Sequence, residues 1–291
     1  MLSSLIYGRY DQEALDRQYS PSSCVPDIAV FLDRYATESE RARAALPARI
    51  GLRYGSAPCE TLDYFPADGP GAPLLVFVHG GYWQELSKNE SAFPASGLVP
   101  AGAAFAAIDY GLAPNYRLDE IVDQVRHAIW WLIEHACELG VDGRRIHLSG
   151  SCAGAHLVLM ALLDGWMPGD RRPAQAIAGA ILLSGIYDLE PLRLTYVNEP
   201  LGLDASAATR LSPIHHLPER LPSLIVVRGA AETDEFIRQH NEIVEVVGPR
   251  AASVQDLVIP HRNHFDITFD VGNPASALGS AVVRQLGLPD R

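Results

Sequence analysis

Residues 148–156 read Leu-Ser-Gly-Ser-Cys-Ala-Gly-Ala-His, which sets a thiol midway between Gly150 and Gly154. A strand-like run, Arg145 to Leu148, precedes this stretch, and an apolar helix-forming run, Ala155 to Leu163, follows it. A strand that turns sharply into a helix needs small residues where the two backbones crowd. Such a turn lifts its central side chain out of the sheet and points the free N–H groups of the helix start at whatever reacts there. The central residue is Cys152, so the chemistry implied is nucleophilic attack by sulfur. Centring the turn on Ser151 would make Ser149 and Ala153 its flanking small residues and lose both glycines. Alone, G-x-C-x-G also fits a buried cysteine in an ordinary strand-to-helix turn. It gains force only with a histidine, an acid and an oxyanion loop in the right order.

Those partners are present. Leu74 to Val78 is a continuous apolar run, as expected of a strand covered on both faces, and it ends in His79-Gly80-Gly81-Tyr82-Trp83. Successive glycines permit a backbone path that turns N–H groups into a cavity. The motif reads either as an oxyanion loop or as a tight strand-to-loop turn; we expect Gly80, Gly81 and Tyr82 to supply one N–H and Ala153 the other. His79 reads as a brace for the loop rather than a base. Further on, the strand Leu224 to Val227 leads to Glu232 and Asp234, and the strand Val254 to Ile259 leads to Pro260-His261-Arg262-Asn263-His264. The order nucleophile, acid, histidine is that of an α/β-hydrolase.

The elements that must position these groups alternate. Helices are expected at Asp11–Tyr19, Phe31–Leu46, Asp119–Leu139, Phe236–Val247 and from about Pro274. Strands are expected at Arg49–Tyr54, Thr61–Phe65, Ala103–Asp109 and Ala178–Leu183. This alternation implies an α/β fold, a mostly parallel sheet of about eight strands flanked by helices, with ligands at the carboxyl ends of the strands. Residues 1–291 are expected to form a single domain. The proline-bearing stretch 190–220 reads as irregular and as a cap or lid over the site.

Bulk properties agree with a globular protein. The chain has 291 residues, 48% hydrophobic and 20% charged, enough for a sizeable core. A formal net charge of −12 argues against nucleic-acid and anionic-membrane partners. Cys24, Cys59, Cys137 and Cys152 show no paired spacing and read as reduced thiols, hence a cytoplasmic protein. The stretch Met1–Tyr10 lacks the apolar core of a signal peptide, and no run reaches the ~18–20 apolar residues of a membrane span. His261 and His264 lack a third metal ligand, and no G-x-G-x-x-G pattern occurs, so neither a metal nor a cofactor is expected.

Several stretches resemble the arylformamidase (kynurenine formamidase) branch of the α/β-hydrolases: Leu15–Ser22, His79–Phe93, Gly150–Leu157, Ser184–Leu192, Glu235–Gln239 and His264–Ile267. The resemblance spans nearly the whole chain. It implies metal-free hydrolysis of N-formylkynurenine, an N-formyl arylamide, to formate and kynurenine. It also implies Cys152, Glu232 and His264 as the catalytic set. Glu232 matches the family acid by standing three residues before Glu235; Asp234 is the rival, with helix capping as its other role. Two departures stand out: cysteine replaces the family serine, and glutamate its usual aspartate. The cysteine is either a replacement of serine or a natural variant. A thiol at a helix start beside a histidine should have a lowered pKa.

Tyr82, Trp83, Tyr110 and Tyr187 are the expected wall around an aromatic substrate, each with ordinary packing as the alternative. A carboxylesterase, thioesterase or acyltransferase on the same triad, or a catalytically impaired binding protein, stay open. The sequence is also compatible with a homodimer.

Overall fold

The computed structural model describes residues 4–289. Eight strands form one sheet: β1 (Arg49–Arg53), β2 (Thr61–Phe65), β3 (Ala72–Val78), β4 (Ala104–Ile108), β5 (Val141–Ser151), β6 (Gly179–Leu183), β7 (Ser223–Ala231) and β8 (Val254–Asn263). Their spatial order is β1-β2-β4-β3-β5-β6-β7-β8. The β1–β2 and β2–β4 pairs are antiparallel and all the others parallel. The fold is that of an α/β-hydrolase, with helices on both faces.

The apolar runs explain the layers. In β3, Leu74, Val76 and Val78 pack into one core and Leu75 and Phe77 into the other, so both faces are buried. This is the behaviour of a central parallel strand. The first face is covered by α4 (Leu118–Glu134), α5 (Ala153–Ala161) and α10 (Asp234–Val247); the second by α3 (Ala95–Ala101) and α11 (Ala277–Gln285). Helix α4 stops at Glu134, short of the expected Leu139. Ala136 and Leu139 keep the apolar spacing because they still pack, at 5% and 7% exposure, from a turn that closes at Gly140.

Register decides where the candidate site residues fall. Val78 lies opposite Gly150, Ser151 opposite Leu183, Leu183 opposite Val227, and Ala231 opposite Asn263. The chain therefore leaves β3, β5, β6, β7 and β8 along one edge of the sheet, at His79, Cys152, Ser184, Glu232 and His264.

Two further pieces lie over that edge. The N-terminal helices α1 (Gln12–Gln18) and α2 (Ala29–Ala45) flank a short turn, Pro21–Cys24. A short helix α6 (Pro173–Ala176) precedes β6. The stretch expected to be irregular instead forms short helices: α7 (Glu190–Arg193), α8 (Asn198–Leu201) and α9 (Ala205–Arg210). Pro191, Pro200 and Pro213 sit in first helical turns, where the missing N–H has no partner to lose. Hydrogen bonds join the two pieces: Gln12 Nε2 donates to the Leu194 carbonyl at 2.9 Å and the Tyr196 N–H to Asp16 at 3.0 Å. Among the described residues no helix is long and apolar enough to cross a membrane.

Candidate active site

Cys152 ends β5 as the first residue outside it and serves as the N-cap of α5, with φ 55° and ψ −117°. A non-glycine residue rarely adopts this region, and holding it there costs roughly 1–3 kcal/mol. The surroundings enforce it. The Cys152 N–H donates to the Leu183 carbonyl at 2.8 Å, and its own carbonyl accepts from Ala155 at 3.0 Å. The flanking glycines are steric requirements. A Cβ on Gly150 would stand 2.3 Å from the Gly154 oxygen, and one on Gly154 would stand 2.0 Å from the Val78 oxygen. Helix α5 can start this close to β3 and β5 only without those side chains. The turn is thus centred on Cys152, and Ser151 belongs to the strand.

His264 follows β8 and is 5% exposed. Its Nδ1 stands 2.9 Å from Oε2 of Glu232, whose side chain is fully out of solvent. The ring lies edge-on to Phe236, with centroids 4.6 Å apart. Burial pushes the His264 pKa down, but Glu232 and Cys152 pull it up more strongly, and it is raised to about 10. The surroundings of the ring therefore favour the imidazolium over the neutral form. Asn263 braces the backbone here, its Oδ1 accepting the N–H groups of Phe265 and Asp266 at 2.9 and 3.1 Å.

Glu232 begins the loop after β7. Its second oxygen accepts from Ser184 Oγ at 2.5 Å. Ser184 also has a left-handed backbone, φ 45°. Both carboxylate oxygens are thus engaged, one by the imidazole and one by the hydroxyl. The sequence reading missed Ser184 as a site residue, although it lies in the quoted Ser184–Leu192 stretch. Asp234 is exposed and pairs with Arg9. Thr233, not Asp234, occupies the N-cap of α10, so Asp234 does not cap that helix but lies in its first turn, where a carboxylate still complements the helix dipole.

The loop after β3 faces the same space. Gly81 has φ 92° and Tyr82 φ 50°. A Cβ on Gly80 would come within 2.9 Å of the Ser151 oxygen and 3.3 Å of Cys152 Cβ. Among the loop and cap hydrogen bonds of the described residues, the N–H groups of Gly81, Tyr82 and Ala153 have no backbone acceptor. They are candidates for holding an oxyanion. His79 is buried under this loop, stacked on Tyr110 with centroids 4.0 Å apart.

A cavity of about 240 Å³ opens on these groups. Cys152, His264, Gly80, Gly81 and Tyr82 line it. Of the expected aromatic wall, only Tyr82 does. Trp83 is fully buried, edge-on to His156 at 5.0 Å. Tyr110 lies beneath the loop and donates to the His79 carbonyl at 2.8 Å. Tyr187 is 1% exposed and likewise does not line the cavity. The wall is built instead from Tyr35, Phe77, Phe93, Tyr196 and Phe265, with Ile28 and Leu32 of the N-terminal segment in the roof. The sequence carried one usable signal for that roof, apolar side chains on an otherwise polar α2. His261 lies in the last residues of β8, three before His264, rather than in a loop.

Comparison with known proteins adds the following. Residues 63–244 match the BD-FAE family model. The kynurenine formamidase of Danio rerio is 34% identical over 289 residues, covering 95% of this chain and 97% of that protein. That of Salmo salar is 34% identical over 273 residues, covering 88% and 90%. Among solved structures, a putative thioesterase from a Silicibacter species superposes with a TM-score of 0.84 at 30% identity, covering 92% of this chain and 98% of that one. Esterase B from Lactobacillus rhamnosis, at 17% identity and a TM-score of 0.70, covers 92% and 96% and shares the fold.

Proposed function

The chain belongs to the kynurenine formamidase family of α/β-hydrolases, and we propose on that basis that it hydrolyses N-formyl-L-kynurenine, or a close N-formyl arylamide, to formate and the free arylamine. It is a hydrolase of carbon–nitrogen bonds. The observation carrying the reading is the convergence of Cys152, a His264–Glu232 pair and the Gly80–Tyr82 loop on one aromatic-walled cavity.

In this reading Cys152 Sγ attacks the formyl carbon, its proton residing on His264. The carbonyl electrons move onto oxygen, where the N–H groups of Ala153 and of the Gly80–Tyr82 loop stabilise them. His264 gives its proton to the arylamine nitrogen as the carbon–nitrogen bond breaks, leaving a formyl-thioester on Cys152. Water then attacks that carbon while His264 accepts its proton; the carbon–sulfur bond breaks and formate leaves. Glu232 orients the imidazole and stabilises its charged form. Residues 190–220 act as a cap together with the N-terminal segment, a role supported by Tyr196 and Val197 in the cavity lining. The whole chain works as a single domain.

The decisive experiment assays this protein and Cys152→Ser on N-formylkynurenine, short aryl esters and thioesters. Preferential turnover of the formamide supports the proposal. A serine form at least ~10-fold faster, ~1.4 kcal/mol in barrier, means the site is shaped for oxygen; an equal or slower one means it is shaped around sulfur. The likeness to a putative thioesterase favours thioester hydrolysis as the second reading, and faster thioester turnover would establish it. Ligand binding without turnover in either form would leave a binding protein.

A further inference from the structure

The N-terminal segment lies outside the stretch matched by the family model, yet it bonds to the loops after β3, β7 and β8. The Tyr19 carbonyl accepts from Tyr82 of the oxyanion loop at 2.6 Å. The Gln18 carbonyl accepts from Thr233, next to Glu232, at 2.6 Å. On α2, the phenol of Tyr35 donates to the carbonyl of Phe265, the residue after His264, at 2.5 Å. Thr268 donates to that same carbonyl at 2.7 Å and lies 3.1 Å from the Tyr35 oxygen.

Tyr35 is well placed to fix a position. It is 7% exposed, and its ring stacks on Phe93 at 5.4 Å with planes 9° apart. One turn further along α2, Ser39 accepts the N–H groups of Ala92 and Phe93 at 3.0 and 3.1 Å. Beyond that, Arg43 pairs with the buried Asp63 at 2.9 Å. The helix is thus anchored to the body of the sheet, and the Phe265 carbonyl hangs from it. Burial holds the phenol well above its usual pKa, with the Asp266 carboxylate acting in the same direction, so it stays a donor over the working pH range.

We propose that Tyr35 is a positioning residue for His264: its phenol, fixed on α2, holds the Phe265 carbonyl and with it the backbone that aims the imidazole at Cys152. The proposal rests on reading His264 as the proton-transferring group. Misplacement of a catalytic group by about an ångström can cost on the order of 10²-fold in rate. Deleting one of two hydrogen bonds to the carbonyl should shift it less.

The test uses Tyr35→Phe, which keeps the stacked ring, and Tyr64→Phe as a matched control. Tyr64 is also buried and donates to the Leu139 carbonyl at 2.5 Å, away from the cavity. Tyr35→Phe should lower kcat about 10-fold with KM within about 2-fold, and should slow iodoacetamide alkylation of Cys152 about 3-fold or more. Tyr64→Phe should change neither. Alkylation of Cys152 in Tyr35→Phe as fast as in the parent overturns the proposal, as does an equal slowing in Tyr64→Phe. A parent that hydrolyses no formamide defeats the functional reading instead, and the alkylation comparison still decides the role of Tyr35.

Discussion

His264 and Glu232 meet through Nδ1 and Oε2 at 2.9 Å, with the carboxylate wholly out of solvent and the imidazole nearly so. A buried carboxylate in that position leaves the histidine one tautomer and one orientation. Glu232→Gln should therefore lower kcat by roughly 10³-fold or more. Asp234→Asn, on an exposed side chain, should stay within about 2-fold. Steady-state kinetics of the two variants checks this, and a larger loss in Asp234→Asn would reverse the assignment of the acid.

Ser184 supplies the other hydrogen bond to Glu232, at 2.5 Å. A hydrogen bond to a charged group contributes about 1.5–3 kcal/mol. Ser184→Ala and Ser184→Gly should each reduce kcat roughly 10-fold by freeing the carboxylate to turn. They should differ in stability. At φ 45° alanine keeps the backbone strain and glycine relieves it, so the glycine variant should melt no lower than the alanine one. Equal activity to the parent would show that His264 alone holds Glu232.

The raised His264 pKa gives a pH dependence with a definite sign. The folded value, about 10, lies above the ordinary 6.5 expected of the unfolded chain. The stability this imidazolium contributes is complete below pH 6.5 and is lost as pH rises through about 10. An NMR titration of the His264 ring should show its transition well above neutrality. In Glu232→Gln the transition should move down, because burial then opposes the charge with less compensation. A transition near pH 6.5 in the parent would contradict the assignment.

Cys152 should be the most reactive thiol although it is the most enclosed. Cys24 and Cys137 are exposed and Cys59 half-buried, whereas Cys152 is 5% exposed at the cavity floor. Timed alkylation with iodoacetamide near neutral pH, read by peptide mapping, should label Cys152 first. His264→Ala should slow that labelling, since the imidazolium no longer favours the sulfur anion. Labelling in order of exposure would remove Cys152 as the nucleophile.

The parts of the site written into the chain as local pattern were legible. Gly150 makes room for the Gly154 backbone within the turn and Gly154 for Val78 of the neighbouring β3, but both stand at a fixed local spacing from Cys152, and the apolar run of β3 announces a strand buried on both faces. Side-chain direction in the loops was not legible. Tyr82 and Trp83 are adjacent, yet one lines the cavity and the other faces the core, because successive left-handed residues swing them apart. Tyr110 and Tyr187 follow β4 and β6 on the right edge of the sheet but are buried there, each 1% exposed. The roof was hidden for a different reason. Ile28, Leu32 and Tyr35 become a wall only when a segment more than a hundred residues before the elbow folds over it.

The backbone angle at Cys152 has a consequence for how freely that position can change. Its φ of 55° burdens any side chain with a Cβ in nearly the same measure. Cysteine, serine and alanine share that penalty, so exchanging them should leave the backbone strain unchanged and shift folding stability only through the side chain's own contacts, chiefly the pull of Cys152 on the His264 charge, while the alanine form loses the nucleophile and with it the reaction. Thermal melts of Cys152→Ser and Cys152→Ala beside their kinetics would register the separation. The fold is then indifferent to which atom attacks, and a hydrolase of this kind can exchange oxygen for sulfur, or lose the reaction entirely, without its architecture recording the event.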